Sequence, residues 1–199
     1  MPNRVVPLSK QYARQAARLH AMGIGSGFLS SLGQGFLRQL YAAISSSPSG
    51  FGFVCVDEED RVLGFIACAE SVGRLYKQSL MRRGIFMAAA LARFLIRPAV
   101  IARAWQTLRY PSEVSADLPP AEVLSIAVDE RCRGLGVGRD LMEAANAEFR
   151  RRGIVQVKAA VGAALVSANA FYLKCGFRLA ATQQHHGLPM NLYIEELER

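Results

Sequence analysis

Apolar positions recur along this chain with two periods, and the switches between them outline its elements. Arg4 to Leu8 is expected as a short opening strand. Ser9 can cap a helix running through about His20, with Tyr12, Ala16 and Leu19 on one face. After a loop from Gly23 to Gly27, a second helix is expected from Leu29 to about Ser46. It lines up Leu29, Leu32, Phe36, Leu37, Leu40, Tyr41 and Ile44 on one stripe, and the Ser/Pro/Gly run to Gly50 stops it. Residues 51–56 and 62–69 then read as two strands of a hairpin turning at Asp57 to Arg61.

Residues 71–118 return to helical spacing, with helices expected from about Gln78 to Ile96 and from Ala99 to Arg109, separated by Pro98. The first places Arg82, Arg83, Arg93 and Arg97 opposite Leu80, Met87, Leu91, Phe94 and Leu95, a basic amphipathic pattern. An apolar strand from Ala121 to Val128 follows Pro119 and Pro120. Beyond it come a helix ending near Gly153, a strand from Val155 to Val161 and a helix from about Ser167 to Cys175. Strands are expected near Arg178 to Ala181 and from Met190 to Ile194, with residues 183–189 as a loop. The pattern shows no internal repeat and no linker long enough to divide the chain, so one domain is expected.

The junction after Val128 carries the chemistry. Asp129-Glu-Arg-Cys-Arg133-Gly-Leu-Gly136-Val-Gly138-Arg139 is a glycine-rich turn between a strand and a long helix. Glycines at 134, 136 and 138 permit positive φ and close approach of a ligand. The first amides of the helix lack intrahelical partners and lie at the positive end of its dipole. With Arg133 and Arg139 beside them, these amides suit a pyrophosphate or a similar anion. A Walker loop is excluded because no Lys-Ser or Lys-Thr follows the glycines. A dinucleotide fingerprint is disfavoured because the strand Ile154 to Val161 offers no ribose-binding carboxylate.

The Arg133-x-x-Gly136-x-Gly138 turn, followed by Ser167-Ala-Asn169-Ala-Phe-Tyr172-Leu-Lys-Cys-Gly176-Phe177, resembles the GCN5-related N-acetyltransferase (GNAT) superfamily across residues 122–177. The order of elements upstream also fits, and residues 71–118 stand as an insertion into the minimal pattern. The resemblance implies an α/β fold, a mixed central sheet of about six to seven strands flanked by helices. It also implies acetyl-CoA as acyl donor and direct attack by an acceptor amine. By this resemblance Arg133, Gly134, Leu135, Gly136, Val137, Gly138 and Arg139 hold the pyrophosphate, and the backbone of Ile126, Ala127 and Val128 pairs with the pantetheine arm. An amide near a bulge of this strand polarises the thioester, which points to Val128 or its neighbour. Tyr172 matches the tyrosine that protonates the leaving thiolate in many members.

Two departures qualify the match. The strand before the Tyr172 helix has no carboxylate, so Glu122, at the start of the central strand, is the candidate base, directly or through a water. Leu165 stands where members often carry an asparagine, so Asn169 is the candidate for a cofactor contact instead.

Composition narrows the partners. The chain is 51% apolar and 20% charged, an ordinary folded composition. Its net charge of +8 equals that of residues 71–112, which hold eight Arg or Lys and no acid. This suggests an anionic partner. The open choices are a small amine acceptor carrying phosphate (an amino sugar or nucleotide-linked sugar), and peripheral membrane contact or a lipid-linked acceptor through residues 78–109. A longer acyl donor and a homodimer also stay open. A non-catalytic module binding nucleic acid is disfavoured, since exposed aromatics do not interleave with the arginines. Without a secretory leader or a membrane-spanning run, a cytoplasmic location is expected. Cys55, Cys68, Cys132 and Cys175 lack metal spacing, and His185 with His186 is a weak metal signal, so no metal is expected.

Overall fold

The structure is a computed structural model of the chain, and it describes residues 3–24, 28–78, 118–185 and 187–198. The two helices expected within Gln78–Arg109, with their basic face, lie outside the described residues, as does His186.

Seven strands form one mixed sheet: β1 (Arg4–Pro7), β2 (Gly50–Val56), β3 (Val62–Ala69), β4 (Glu122–Val128), β5 (Gln156–Gly162), β6 (Arg178–His185) and β7 (Leu188–Glu196). Their order is β1-β2-β3-β4-β5-β7-β6, and among the described residues only the β4–β5 pair is parallel. The helices are α1 (Ala13–Gly23), α2 (Phe28–Ser31), α3 (Gly33–Ile44), α4 (Val137–Arg151) and α5 (Val166–Lys174). Residues 72–78 are also helical.

Two cores cover the two faces. On one, α1 and α3 pack Ala16, Leu37, Tyr41 and Ile44 against Val54, Phe65 and Ala67. On the other, Val137, Leu141, Ala145 and Phe149 of α4 and Tyr172 of α5 pack on Ile66, Val123, Val157 and Ala159. A Cβ at Gly64 of β3 would stand 2.9 Å from Val137 Cγ1 and 3.1 Å from Leu141 Cδ1. That missing side chain lets the first turns of α4 sit directly on the sheet.

Several expected boundaries move. The first helix begins at Ala13, because Ser9 offers its carbonyl rather than its hydroxyl, accepting from Tyr12 N at 3.1 Å. The stripe from Leu29 to Ile44 is two helices, interrupted where Gly33 takes φ +82°. The loop expected at 183–189 is instead the tip of the β6–β7 hairpin. Gly187, at φ +76°, tightens the turn and lets pairing reach His185↔Leu188.

Candidate active site

The site is built around a gap in the sheet. β4 and β5 pair only at Glu122↔Lys158 and Val123↔Ala159. The β3–β4 register slips between Cys68↔Val123 and Ala67↔Ser125, so Leu124 is the extra residue of a β-bulge. Beyond it, Ile126, Ala127 and Val128 remain paired to Ile66, Phe65 and Gly64 on β3, with no strand on their other edge among the described residues. That edge carries free main-chain groups, the kind of opening an extended ligand fills as an added strand. The expected bulge near Val128 is thus corrected to Leu124, which moves the candidate polarising amide to Leu124 or Ser125.

Because β4 and β5 are parallel, both end on the same side, and α4 and α5 start there. The open crevice therefore leads toward two helix N-termini. Between β4 and α4, Asp129 accepts from Arg131 N at 3.1 Å and caps a short 3-10 turn, Glu130–Cys132. Charge-assisted bonding from the Arg131 side chain holds the Asp129 carboxyl below its ordinary range. Gly134 and Gly136 then take φ +80° and +86°, and a Cβ at either would meet nothing within 4 Å. They are glycines for conformation, at an open surface. Gly138 differs: it is helical, and its Cβ would lie 3.1 Å from the Phe171 ring, so it serves α4–α5 packing.

The first helical bond of α4 is Asp140 N to Gly136 O, and Gly136 offers no side-chain cap. Among the described residues, the amides of Gly134, Gly136, Val137, Gly138 and Arg139 have no protein acceptor. Leu135, 69% exposed, leaves them uncovered. Arg133 and Arg139 hold only exposed ion pairs with Glu130 (3.9 Å) and Glu143 (2.8 Å). Such exposed pairs contribute little, so both guanidinium groups can turn to an arriving phosphate.

The remaining expected residues sit deeper. Tyr172 is buried, edge-on to Phe177 (5.1 Å between centroids) and stacked with Tyr193 (6.1 Å). Burial raises its phenol well above the ordinary value, with the charges of Cys68 and Glu122 adding to the shift, so it is protonated at neutral pH. Glu122 is buried beside Lys158, with Nζ 3.6 Å from its carboxylate; Lys158 also donates to Pro119 O at 2.6 Å. Asn169 spends its side chain inside the protein. Its Oδ1 accepts from Asn191 Nδ2 and Tyr193 Oη, each at 2.8 Å. Its Nδ2 donates to Gly162 O and Leu165 O, at 2.9 and 2.7 Å. With every position taken, Asn169 clamps the start of α5 to β5 and β7.

Sequence reasoning missed a buried polar chain at the bulge. Tyr41 Oη lies 3.0 Å from Ser125 Oγ and 2.5 Å from His20 Nδ1. Its signals were a lone hydroxyl in the apolar run of β4 and a histidine on the inward face of α1. No described cluster of three or more His, Cys, Asp or Glu could hold a metal, and no described helix is long and apolar enough to cross a membrane.

Comparison with known proteins agrees with this geometry. Residues 26–177 match the acetyltransferase (GNAT) family. The structure resembles a GNAT-family acetyltransferase from Staphylococcus aureus Mu50, at 12% identity and TM-score 0.62, covering 99% of this chain and 100% of that one. It also resembles the ribosomal-protein-S18-alanine N-acetyltransferase of Escherichia coli, at 14% identity and TM-score 0.63, covering 100% and 96%. A Bacillus anthracis structure solved with acetyl coenzyme A matches at 14% identity and TM-score 0.50, over 77% of this chain and 65% of that one. No curated protein sequence matches. The chain therefore belongs to the GNAT acetyltransferase family, enzymes that take their acyl group from acetyl-CoA.

Proposed function

We propose that this enzyme transfers the acetyl group of acetyl-CoA to the primary amine of a small phosphate-bearing acceptor, such as an amino sugar or nucleotide-linked sugar, by direct attack. The observation that carries the reading is the crevice between β4 and β5, leading from the bulge at Leu124 to the unpartnered amides at Gly134–Arg139. The turn and its two arginines take the pyrophosphate, and the free edge of Ile126–Val128 takes the pantetheine arm. Tyr172, kept protonated by burial, donates to the departing thiolate. Glu122 receives the amine proton through a water, and Lys158 lies 3.6 Å from its carboxylate.

Charge favours an anionic acceptor. Residues 1–56 contain no Asp or Glu, and Lys10, Arg14 and Arg38 line a cavity of about 310 Å³ between α1 and α3, over Ala13 and Ala42. This adds to the +8 of residues 71–112. Thermal unfolding with acetyl-CoA, free CoA and longer acyl-CoAs tests the donor assignment. A ligand at about 100 times its dissociation constant stabilises by roughly 2.7 kcal/mol, or about 5–10 °C for this length. An acetyl-CoA shift followed by turnover with phosphorylated amino sugars is the expected result. A larger shift with long acyl-CoA would move the donor to a lipid chain, and no shift with any CoA would refute the site.

A further inference from the structure

The chain His20–Tyr41–Ser125 joins α1, α3 and β4 at the point where β4 leaves β5, and nothing in the roles above uses it. Tyr41 is fully buried and His20 is 3% exposed, while Ser125 is half-buried directly after the bulge. Apolar side chains of similar size would fill these two interior positions without needing polar partners. The chain also has a direction. A tyrosine hydroxyl has one proton, so Tyr41 donates either to His20 or to Ser125, and the choice decides what Ser125 has left to offer.

The surroundings of His20 settle the direction. Burial lowers its imidazole to about 4, so it is neutral and carries one ring proton. Its Nε2 is buried and, among the described residues, has no hydrogen-bond partner. A buried N–H left without an acceptor is rarer in folded proteins than an idle acceptor. The tautomer assigned from this network therefore has its proton on Nδ1. His20 Nδ1–H then donates to Tyr41 Oη, and Tyr41 donates to Ser125 Oγ. Ser125, with one lone pair engaged by Tyr41, keeps its own proton for an acceptor elsewhere. It sits beside the bulge amides that are candidates to polarise the thioester.

We infer that the hydroxyl of Ser125 is a second hydrogen-bond donor to the carbonyl oxygen of the acyl donor, aimed by Tyr41 and, through it, by His20. Ser125 is in this view a catalytic residue, and Tyr41 and His20 are positioning residues. As the amine nitrogen bonds to the carbonyl carbon, the C=O π pair moves onto oxygen, and the hydroxyl and the bulge amide meet that charge together. When the C–S bond breaks, the pair returns to the carbonyl and the thiolate takes a proton. Ser125 donates a hydrogen bond throughout and transfers no proton. The inference rests on the acetyl-CoA reading above.

The binding and resonance readouts need no acceptor, and the kinetic readout uses a phosphorylated amino sugar as the amine. Acetyl-CoA labelled with carbon-13 at its carbonyl is bound to the wild-type protein and to Ser125→Ala, Ser125→Thr and Tyr41→Phe, with affinities measured by calorimetry. The bound carbonyl resonance of wild type is expected downfield of free acetyl-CoA. It should move back toward the free position in Ser125→Ala, remain in Ser125→Thr, and move part of the way in Tyr41→Phe. Losing one such donor should lower kcat about 100-fold in Ser125→Ala with KM for acetyl-CoA nearly unchanged. An alanine variant that binds acetyl-CoA with an unmoved resonance and kcat within about twofold of wild type would overturn the inference and leave the acetyl-CoA reading standing. Failure of wild type to bind acetyl-CoA would take down both.

Discussion

Lowering the pH should load a proton onto the unfolded chain at His20 before the folded protein will accept one. In the folded state the ring lies against Tyr41 and Phe65, and burial sets its pKa to about 4. Tyr41, the titratable group bonded to it, is raised by its own burial and stays neutral throughout. In the unfolded chain a histidine titrates near 6.5. Because the folded pKa is the depressed one, the stability is fully present above about pH 6.5 and is lost as pH falls toward 4. Between pH 7.5 and 4.5 the loss works out at about 2–3 kcal/mol, close to one proton's worth over most of the window. The comparison is with His20→Asn, which keeps an amide donor near the Nδ1 position but cannot titrate. Urea unfolding of both proteins at each pH cancels the carboxylates they share; Glu148, held near 2 by Arg151 and Arg152, titrates mainly below the window. Wild type should lose roughly 1 M more in its urea midpoint than the variant over that range. Parallel curves would refute the reasoning, because they would mean that His20 is charged or solvated in the folded state.

Two further substitutions probe how the crevice is held. Gly64→Ala would press a methyl group against Val137 Cγ1 and Leu141 Cδ1. It should lift the start of α4 from the sheet and weaken acetyl-CoA binding by about tenfold without touching the turn; calorimetry showing wild-type affinity would refute that link. Asn169→Ala should cost about 2–3 kcal/mol by leaving the hydroxyl of Tyr193 and the carbonyl of Gly162 short of partners. Its thermal shift with acetyl-CoA should survive, and lost affinity at unchanged stability would instead restore Asn169 as a direct ligand.

Legibility in the sequence followed the range of the interactions involved. The glycine turn was readable because φ and helix-start chemistry are local: Gly134 and Gly136 need no distant residue to explain them. Gly138 looked like the same kind of position, yet its reason is Phe171 on another helix, which no spacing discloses. Asn169 was legible as a polar residue near the site but not as a saturated clamp, since its partners Asn191 and Tyr193 lie more than twenty positions away, on β7. Glu122 likewise could not be paired with Lys158 until the register of β4 and β5 was known.

Ser125 shows most sharply how one residue of irregularity can hide a site. In a regular strand, Val123 and Ser125 share a face and Leu124 takes the other. Here Ala121 and Val123 do point to the α4 side and Leu124 to the α1–α3 side. After the bulge the assignment inverts, so that Ile126 and Val128 face α4 while Ala127 joins the opposite core. The inversion carries Ser125 to Tyr41 instead of into the α4 core, where a hydroxyl would need some other partner. The same slip ends the pairing of β4 with β5 and so opens the crevice. Opening the donor site and delivering a hydroxyl to its edge are thus two results of one extra residue. A change that regularised β4, such as deleting Leu124, should abolish both together rather than either alone.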